Sequence, residues 1–446
     1  MKRVFPQLAQ ILLLILSLLT SSSAQKPAPE KRKKIKDFGS SLDRLKWDPK
    51  KNETVRLPAA DDVANSADDV IRIDTTLISC ELLVLDERGN NVAGLTVNDF
   101  SVSEDDTPQT VGHFFTGDNV NIPRTIVLIF DYSGSQLPYL KNSVKAAKVM
   151  VDKLGPKDLM AIVTDDVEMF QEFTTDKKKL KGKLDELLNR TKLGSAYFTE
   201  FHLPRLGRSK QYSALMATLN EAFDDEDVRP IIIFQTDGDE AFFLRNPIIR
   251  RTLPDGLTGE ALRSAKLFVA SYEEQVVADR TEFSLDDLYR AVEHSRATVY
   301  TVVPGIKLLD LPEESQVAKV AAHNRAMQEE RIAKARFSPL KQQRTKEDDF
   351  NEKINTVWEA QTTAKLQLAL SGVAGLTGGW TEFLEAPEQA DEIYSRIFSD
   401  INQRYIVGYY PTNKERDGKR RKIDFQVKGH PEYQILGRRS YFAPAP

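Results

Sequence analysis

The chain is poor in the residues that most often reveal chemistry. It has one cysteine, Cys80, in 446 residues, so no intramolecular disulfide can form and stability has to come from packing. In "LISCELLVLD" that cysteine alternates with Ile78, Leu82 and Val84, the pattern of a small buried strand residue. The five histidines, His113, His202, His294, His323 and His430, are scattered without the close spacing of a histidine metal site. Neither sign of charge is in excess. Lys and Arg number 62 against 66 Asp and Glu, a net charge of -4, which argues against a nucleic-acid partner. Long apolar runs are missing too: the one at residues 11–19 is about half of the ~20 residues that a membrane-spanning helix needs.

Catalytic signatures are equally scarce. No G-x-x-x-x-G-K-[ST] loop or dinucleotide fingerprint is present. Ser133 lies in "DYSGS" rather than in a G-x-S-x-G elbow, so it lacks the setting of a hydrolase nucleophile. Asp165 and Asp166 fall between two expected strands and read as a hairpin turn, not as an acid and base pair. "GLTGGW" at 375–380 reads as a helix end turning into a strand, not as a phosphate cradle. A non-enzymatic protein is the expectation.

What is present falls into segments. Residues 1–24 combine a basic start, the short apolar run and small residues before Gln25, the pattern of a secretory signal peptide. The expected location is therefore outside the cytoplasm, periplasmic or extracellular, without a transmembrane anchor. Residues 25–69 read as a polar, basic linker whose "KRKKIK" offers at most a weak contact with an anionic envelope. Residues 70–118 alternate as short β-strands, with a Gly-bearing hairpin turn at 87–90. The alternation returns at 405–446, and the two β-rich ends together supply about seven strands, enough for a sandwich-like domain.

Between them, residues 122–404 alternate strand and helix. "TIVLIF", "LMAIVT", "PIIIFQ" and "ATVYTVV" are continuous apolar runs, as expected of mainly parallel strands covered on both faces. Helices are expected at 137–154, 177–188 and 212–223, and another after Pro387. Residues 305–364 are helix-prone and highly charged, longer than a crossover requires, and read as a helical insertion. The fold class is thus an α/β unit inserted between N- and C-terminal β-strands.

Two of the apolar runs end in acids. Asp131, with Ser133 and Ser135, follows "TIVLIF", and Asp237 follows "IIIFQT", so loops distant in sequence can bring oxygens together beyond the carboxyl ends of the strands. Carboxylates and hydroxyls without His or Cys suit a hard cation such as Mg²⁺. Taken alone, D-x-S-x-S reads equally well as a helix start capped by Ser135.

"DYSGS" followed by "TDG" resembles the metal-ion-dependent adhesion site of von Willebrand factor A domains. More widely, "GLTVNDFSVSED" and "RYIVGYYP" resemble signatures of the bacterial exported von Willebrand A-related family first described in acidobacteria. The resemblance implies a Rossmann-like fold and Mg²⁺ or Mn²⁺ held by Asp131, Ser133, Ser135 and Asp237, with a hydroxyl from a middle loop. In "GRSKQYSA" Ser209 stands where that family carries Thr, and Thr199 or Ser195 on the long preceding loop are alternatives. It also implies a protein partner whose Asp or Glu completes the ion's coordination. The alternative is a metal-independent envelope scaffold that binds through the insertion and the β-rich ends.

Overall fold

The computed structural model describes residues 35, 37–58, 77–119, 122–137, 139–197, 209–224, 229–245, 253, 258–260, 262–263, 265–267, 270, 280–334 and 346–444, and the side chains at 191–197, 330–334, 346–351 and 387 are outside that description. The strands in chain order are β1 (Leu45–Asp48), β2 (Glu53–Arg56), β3 (Ile78–Leu85), β4 (Phe100–Glu104), β5 (Thr107–Gln109), β6 (Val111–Thr116), β7 (Thr125–Phe130) and β8 (Leu159–Thr164). They continue with β9 (Glu168–Thr174), β10 (Pro230–Gln235), β11 (Thr298–Pro304), β12 (Thr381–Leu384), β13 (Tyr405–Tyr409), β14 (Arg420–Val427), β15 (Gln434–Leu436) and β16 (Ser440–Phe442). The helices are α1 (Ser40–Asp43), α2 (Leu140–Asp152), α3 (Lys177–Tyr197), α4 (Gln211–Glu221), α5 (Leu285–His294), α6 (Glu313–Lys334), α7 (Lys346–Leu376) and α8 (Ala390–Gln403).

Six strands form the central sheet in the order β12-β11-β10-β7-β8-β9, all parallel except β9. Every residue of β7, β10 and β11 is buried, because helices cover both faces and leave no solvent side for polar alternation. Ile126, Leu128 and Phe130 pack with Val144 and Met150 of α2, Leu180 and Leu184 of α3, and Ile393 and Ile397 of α8. The intervening Val127 and Ile129 face the other way, onto Leu215 of α4, Leu288 of α5 and Leu370 of α7. Each such side chain contributes about 1.5–3 kcal/mol of burial, so the two cores fix the sheet between its helix layers.

The β-rich ends form two further four-stranded antiparallel sheets, β15-β3-β13-β6 and β16-β14-β4-β5. Val407 of β13 lies between Cys80 of β3 and Phe114 of β6, while Phe425 of β14 faces Val102 of β4. Leu82, Phe100, Tyr405, Tyr409 and Ile423 close a shared core between the sheets. The α/β unit is thus inserted between strands that pair with one another. After the expected turn at 87–90, residues 91–94 do not form the second strand of a hairpin: Asn91 makes only an isolated bridge to Leu85, and the Asp86 side chain holds the turn by accepting from the backbone N–H groups of Arg88 and Asn90.

A buried polar junction joins sandwich to α/β unit. Arg229 donates through Nε to Glu81 Oε1 at 2.7 Å, through Nη1 to the Gly117 carbonyl at 2.8 Å and through Nη2 to the Ile401 carbonyl at 2.7 Å. Arg404, also fully buried, pairs with Asp400 and donates to the Gly378 carbonyl at 2.7 Å.

The structure corrects two expectations. Within the stretch expected to be linker, residues 37–58 are folded onto the α/β unit: β1 and β2 form an antiparallel pair and Leu45 enters the sheet's core. Phe38 and Leu42 pack against the same core, and carboxylates hold the backbone. The Glu221 carboxylate accepts from the backbone N–H groups of Gly39 and Ser41, and Glu282 accepts from that of Trp47. The insertion, in turn, is helical as expected, but its second helix does not stop at 364. Helix α7 runs on to Leu376, its second half packing Leu366, Leu370 and Val373 into the core, while its first half extends beyond the sheet beside α6 over Leu308, Val320 and Ala360. The expected signal peptide lies outside the described residues, as do residues 59–76. Among the described residues no helix is long and apolar enough to cross a membrane.

Candidate functional site

At the carboxyl ends of β7 and β10, the Asp131 backbone N–H still donates to the Gln235 carbonyl at 3.0 Å, which aligns the two strand ends. The chain then turns. Asp131 Oδ1 accepts from Ser133 N at 2.9 Å, and Gly134–Gln136 form a 3₁₀ turn that sets the Ser133 and Ser135 hydroxyls 3.1 Å apart. Neither serine caps a helix, since α2 begins only at Leu140 with Tyr139 before it and no side-chain cap. Asp131 is buried, Ser133 is nearly so, and Ser135 is exposed, so the loop grades from core to solvent.

The second loop is equally constrained. Thr236 Oγ1 donates to Asp131 Oδ2 at 2.9 Å and accepts from Gly238 N at the same distance, which links the two strand ends through one hydroxyl. Gly238 has φ of 77°, and a Cβ there would come within 3.0 Å of the Tyr212 hydroxyl, so only glycine suits this turn. Asp237 Oδ1 accepts from Asp239 N at 3.2 Å, and its Oδ2 accepts from Gln136 Nε2 at 2.7 Å.

Asp131 and Asp237 meet at one nitrogen. Gln211 Nε2, from the first turn of α4, donates to Asp131 Oδ2 at 2.9 Å and to Asp237 Oδ1 at 3.3 Å. The charges acting most strongly on this rim are carboxylates. Burial, then the neighbouring charge of Asp131, pushes Asp237 up to about 6. Burial, then Asp237 and Asp131, pushes Asp239 up to about 8. Two buried polar atoms stand beside the acids without a hydrogen-bond partner among the described residues: Gln136 Oε1 and the Tyr212 hydroxyl.

Ser209 reaches the rim through Asp165: its hydroxyl donates to Asp165 Oδ2 at 2.6 Å, and Asp165 Oδ1 accepts from the N–H of Tyr132, the residue after Asp131, at 3.2 Å. Thr199 lies outside the described residues, and Ser195 is in α3 where side chains are not described. Sequence reasoning missed Thr236, which stands inside "TDG", Gln136, which follows "DYSGS", and Gln211, which stands inside "GRSKQYSA" but was passed over as an uncharged amide beside the Ser209 hydroxyl.

Among the described residues no three His, Cys, Asp or Glu side chains are grouped to hold a metal ion, so any cation here must draw on hydroxyls as well. The oxygen chemistry of Asp131, Ser133, Ser135 and Asp237, with excess negative charge and an unpartnered buried acceptor at Gln136, fits a hard dication. The Gln211 amide does not.

No family model and no curated protein matches the chain. Solved structures do. An aerotolerance-related membrane protein from Bacteroides fragilis is 13% identical over 63% of this chain and 99% of its own, with a TM-score of 0.27. A von Willebrand factor type A protein from Catenulispora acidiphila is 10% identical over 84% of this chain and 76% of its own, with a TM-score of 0.30. The pilus adhesin SpaC from Lactobacillus rhamnosus GG is 10% identical over 78% of this chain and 48% of its own, also with a TM-score of 0.30. At such identities and scores these likenesses assign neither ligand nor partner to this chain.

Proposed function

We propose that the chain is an exported, non-enzymatic binding module of the von Willebrand A type. In this reading Asp131, Ser133, Ser135 and Asp237, with the Ser209 hydroxyl from the middle loop, hold Mg²⁺ or Mn²⁺, and a protein partner presents an Asp or Glu to the ion. One observation carries the reading: two carboxylates from separate parallel strands converge at a single rim, with a pair of hydroxyls beside them and other carboxylates as the strongest charges acting there. A bound dication would neutralise that charge and, because hydroxyls are neutral ligands, would keep enough positive charge to attract a further carboxylate. The residues of this chain supply the positioning. Thr236 and Ser133 N fix the Asp131 carboxylate, and Gln136 and Asp239 N fix that of Asp237. Export rests on the leader-like residues 1–24.

The test is a thermal melt of the full chain in EDTA, Mg²⁺ and Mn²⁺, beside Asp131→Ala. Free metal a hundredfold above its dissociation constant should add about 2.7 kcal/mol to the wild type. The variant should gain nothing, and absence of any metal-dependent shift in the wild type refutes the reading.

A metal-independent scaffold is favoured by a different observation, namely that Gln211 already satisfies both carboxylates. Partner capture that survives Asp131→Ala and Asp237→Ala but is lost on deleting residues 308–360 would establish it.

A further inference from the structure

We propose that Gln211 is a built-in competitor for the cation: its amide holds the two carboxylates together in the metal-free protein and must leave before a dication can enter. This rests on the cation reading above. The orientation of the amide is determined. Gln211 is fully buried, and its Oε1 accepts from Glu240 N at 2.9 Å, so its NH₂ group is the end that faces the acids. That group donates to Asp131 Oδ2 at 2.9 Å and to Asp237 Oδ1 at 3.3 Å, and Asp239 also draws a hydrogen bond from the same side chain. With Ser133 N and Thr236 on Asp131, and Asp239 N and Gln136 on Asp237, all four carboxylate oxygens have a donor without any ion.

These hydrogen bonds satisfy both carboxylates without calling on an ion. Two carboxylates sharing a site repel, and the partial positive charge of an amide N–H offsets part of that repulsion at each. A dication does the same job better, but it binds carboxylate oxygens at about 2.1 Å, where an NH₂ group aimed at the same oxygens would point its hydrogens at the ion. Reversing the amide would turn its oxygen toward the ion, yet it would also set NH₂ against the Glu240 N–H. Either way a buried hydrogen-bond arrangement is broken when metal enters. Gln211 is therefore a positioning residue that sets how much cation is needed to switch the rim to its binding state.

The experiment compares wild type, Gln211→Leu and Gln211→Glu as full chains. Two quantities are read: Mn²⁺ affinity, from the electron paramagnetic resonance signal of free Mn²⁺, and melting temperature in EDTA. Gln211→Leu should bind Mn²⁺ roughly tenfold more tightly, the worth of about one net charge-assisted hydrogen bond, and should melt lower than wild type in EDTA. Binding of Mn²⁺ by Gln211→Leu alone would support the proposal most strongly. Gln211→Glu keeps an acceptor for Glu240 N but replaces the donor with a third carboxylate, so it should lose more stability in EDTA and recover it with Mn²⁺. This variant also serves if Gln211→Leu fails to fold. Equal or weaker Mn²⁺ affinity in Gln211→Leu, while wild type binds, would overturn the proposal and leave the cation reading standing. A Gln211→Glu protein as stable in EDTA as wild type would overturn it too. Failure of every chain to bind Mn²⁺ would overturn both.

Discussion

Replacing Arg229 by methionine should cost more than any surface change in this molecule. The side chain is 1% exposed and the Glu81 side chain that it pairs with is 10% exposed, so neither charge has water to fall back on. Methionine would keep much of the volume but would strip the donor from Glu81 Oε1 and from the Gly117 and Ile401 carbonyls. Glu81 Oε2 already has no hydrogen-bond partner among the described residues, so the carboxylate would lose its closest cation while still buried. Removing one partner of a buried pair typically costs 3–5 kcal/mol, because the charge left behind is uncompensated. The pair itself is a different quantity, since two well-packed apolar side chains in its place are often neutral. Arg229→Met should therefore lose about 3–5 kcal/mol in urea unfolding, and Arg229→Met with Glu81→Leu should lose clearly less than the two single losses together. A loss below about 1 kcal/mol for Arg229→Met, or simple additivity in the double variant, would refute the view that this junction is a desolvated ion pair joining sandwich to α/β unit.

Two further outcomes follow from the described side chains. Burial pushes the Asp158 carboxyl up, but the hydrogen bonds and charge of Arg124 outweigh it and hold the group below its usual value. A depressed carboxyl contributes stability that is present above its unfolded pKa and lost as pH falls through the folded one, so Asp158→Asn should flatten the fall in melting temperature below about pH 4. Burial pushes the Cys80 thiol up to about 11, so the folded protein should not react with Ellman's reagent at pH 8, whereas the denatured chain should release one equivalent. Ready reaction of the native protein would show that the sandwich core opens at Cys80.

The central sheet was legible because its strands are covered on both faces: "TIVLIF", "LMAIVT" and "PIIIFQ" have no polar alternation, and each became a parallel strand in that sheet. The sandwich was legible for the opposite reason, since alternation such as that of "RRKIDFQV" marks strands with one wet face. At the site, Asp131, Ser133, Ser135 and Asp237 stood out because strand ends place their side chains where loops converge. Ser209 was chosen by its place in a motif, and its hydrogen bond to Asp165, whose other oxygen holds Tyr132 N, could not be read from that motif. Gln211 was hidden because its role depends on which end of a neutral amide faces the acids, and a long-range bond to Glu240 N settles that. The fold of residues 37–58 was passed over although Phe38, Leu42 and Leu45 recur at helical spacing and pack on the core, because they stand among charged residues and distant acids hold the backbone N–H groups.

The pairing of Thr116 with Tyr405 places the departure and return of the α/β unit on adjacent strands of one ladder. In an unfolded chain those two points are separated by the whole unit, and bringing them together would demand a long loop closure that local contacts cannot offset early. Once the α/β unit has collapsed, it delivers both ends side by side and the closure is nearly free. Topology thereby favours an order of assembly in which the middle of the chain folds before its flanks pair.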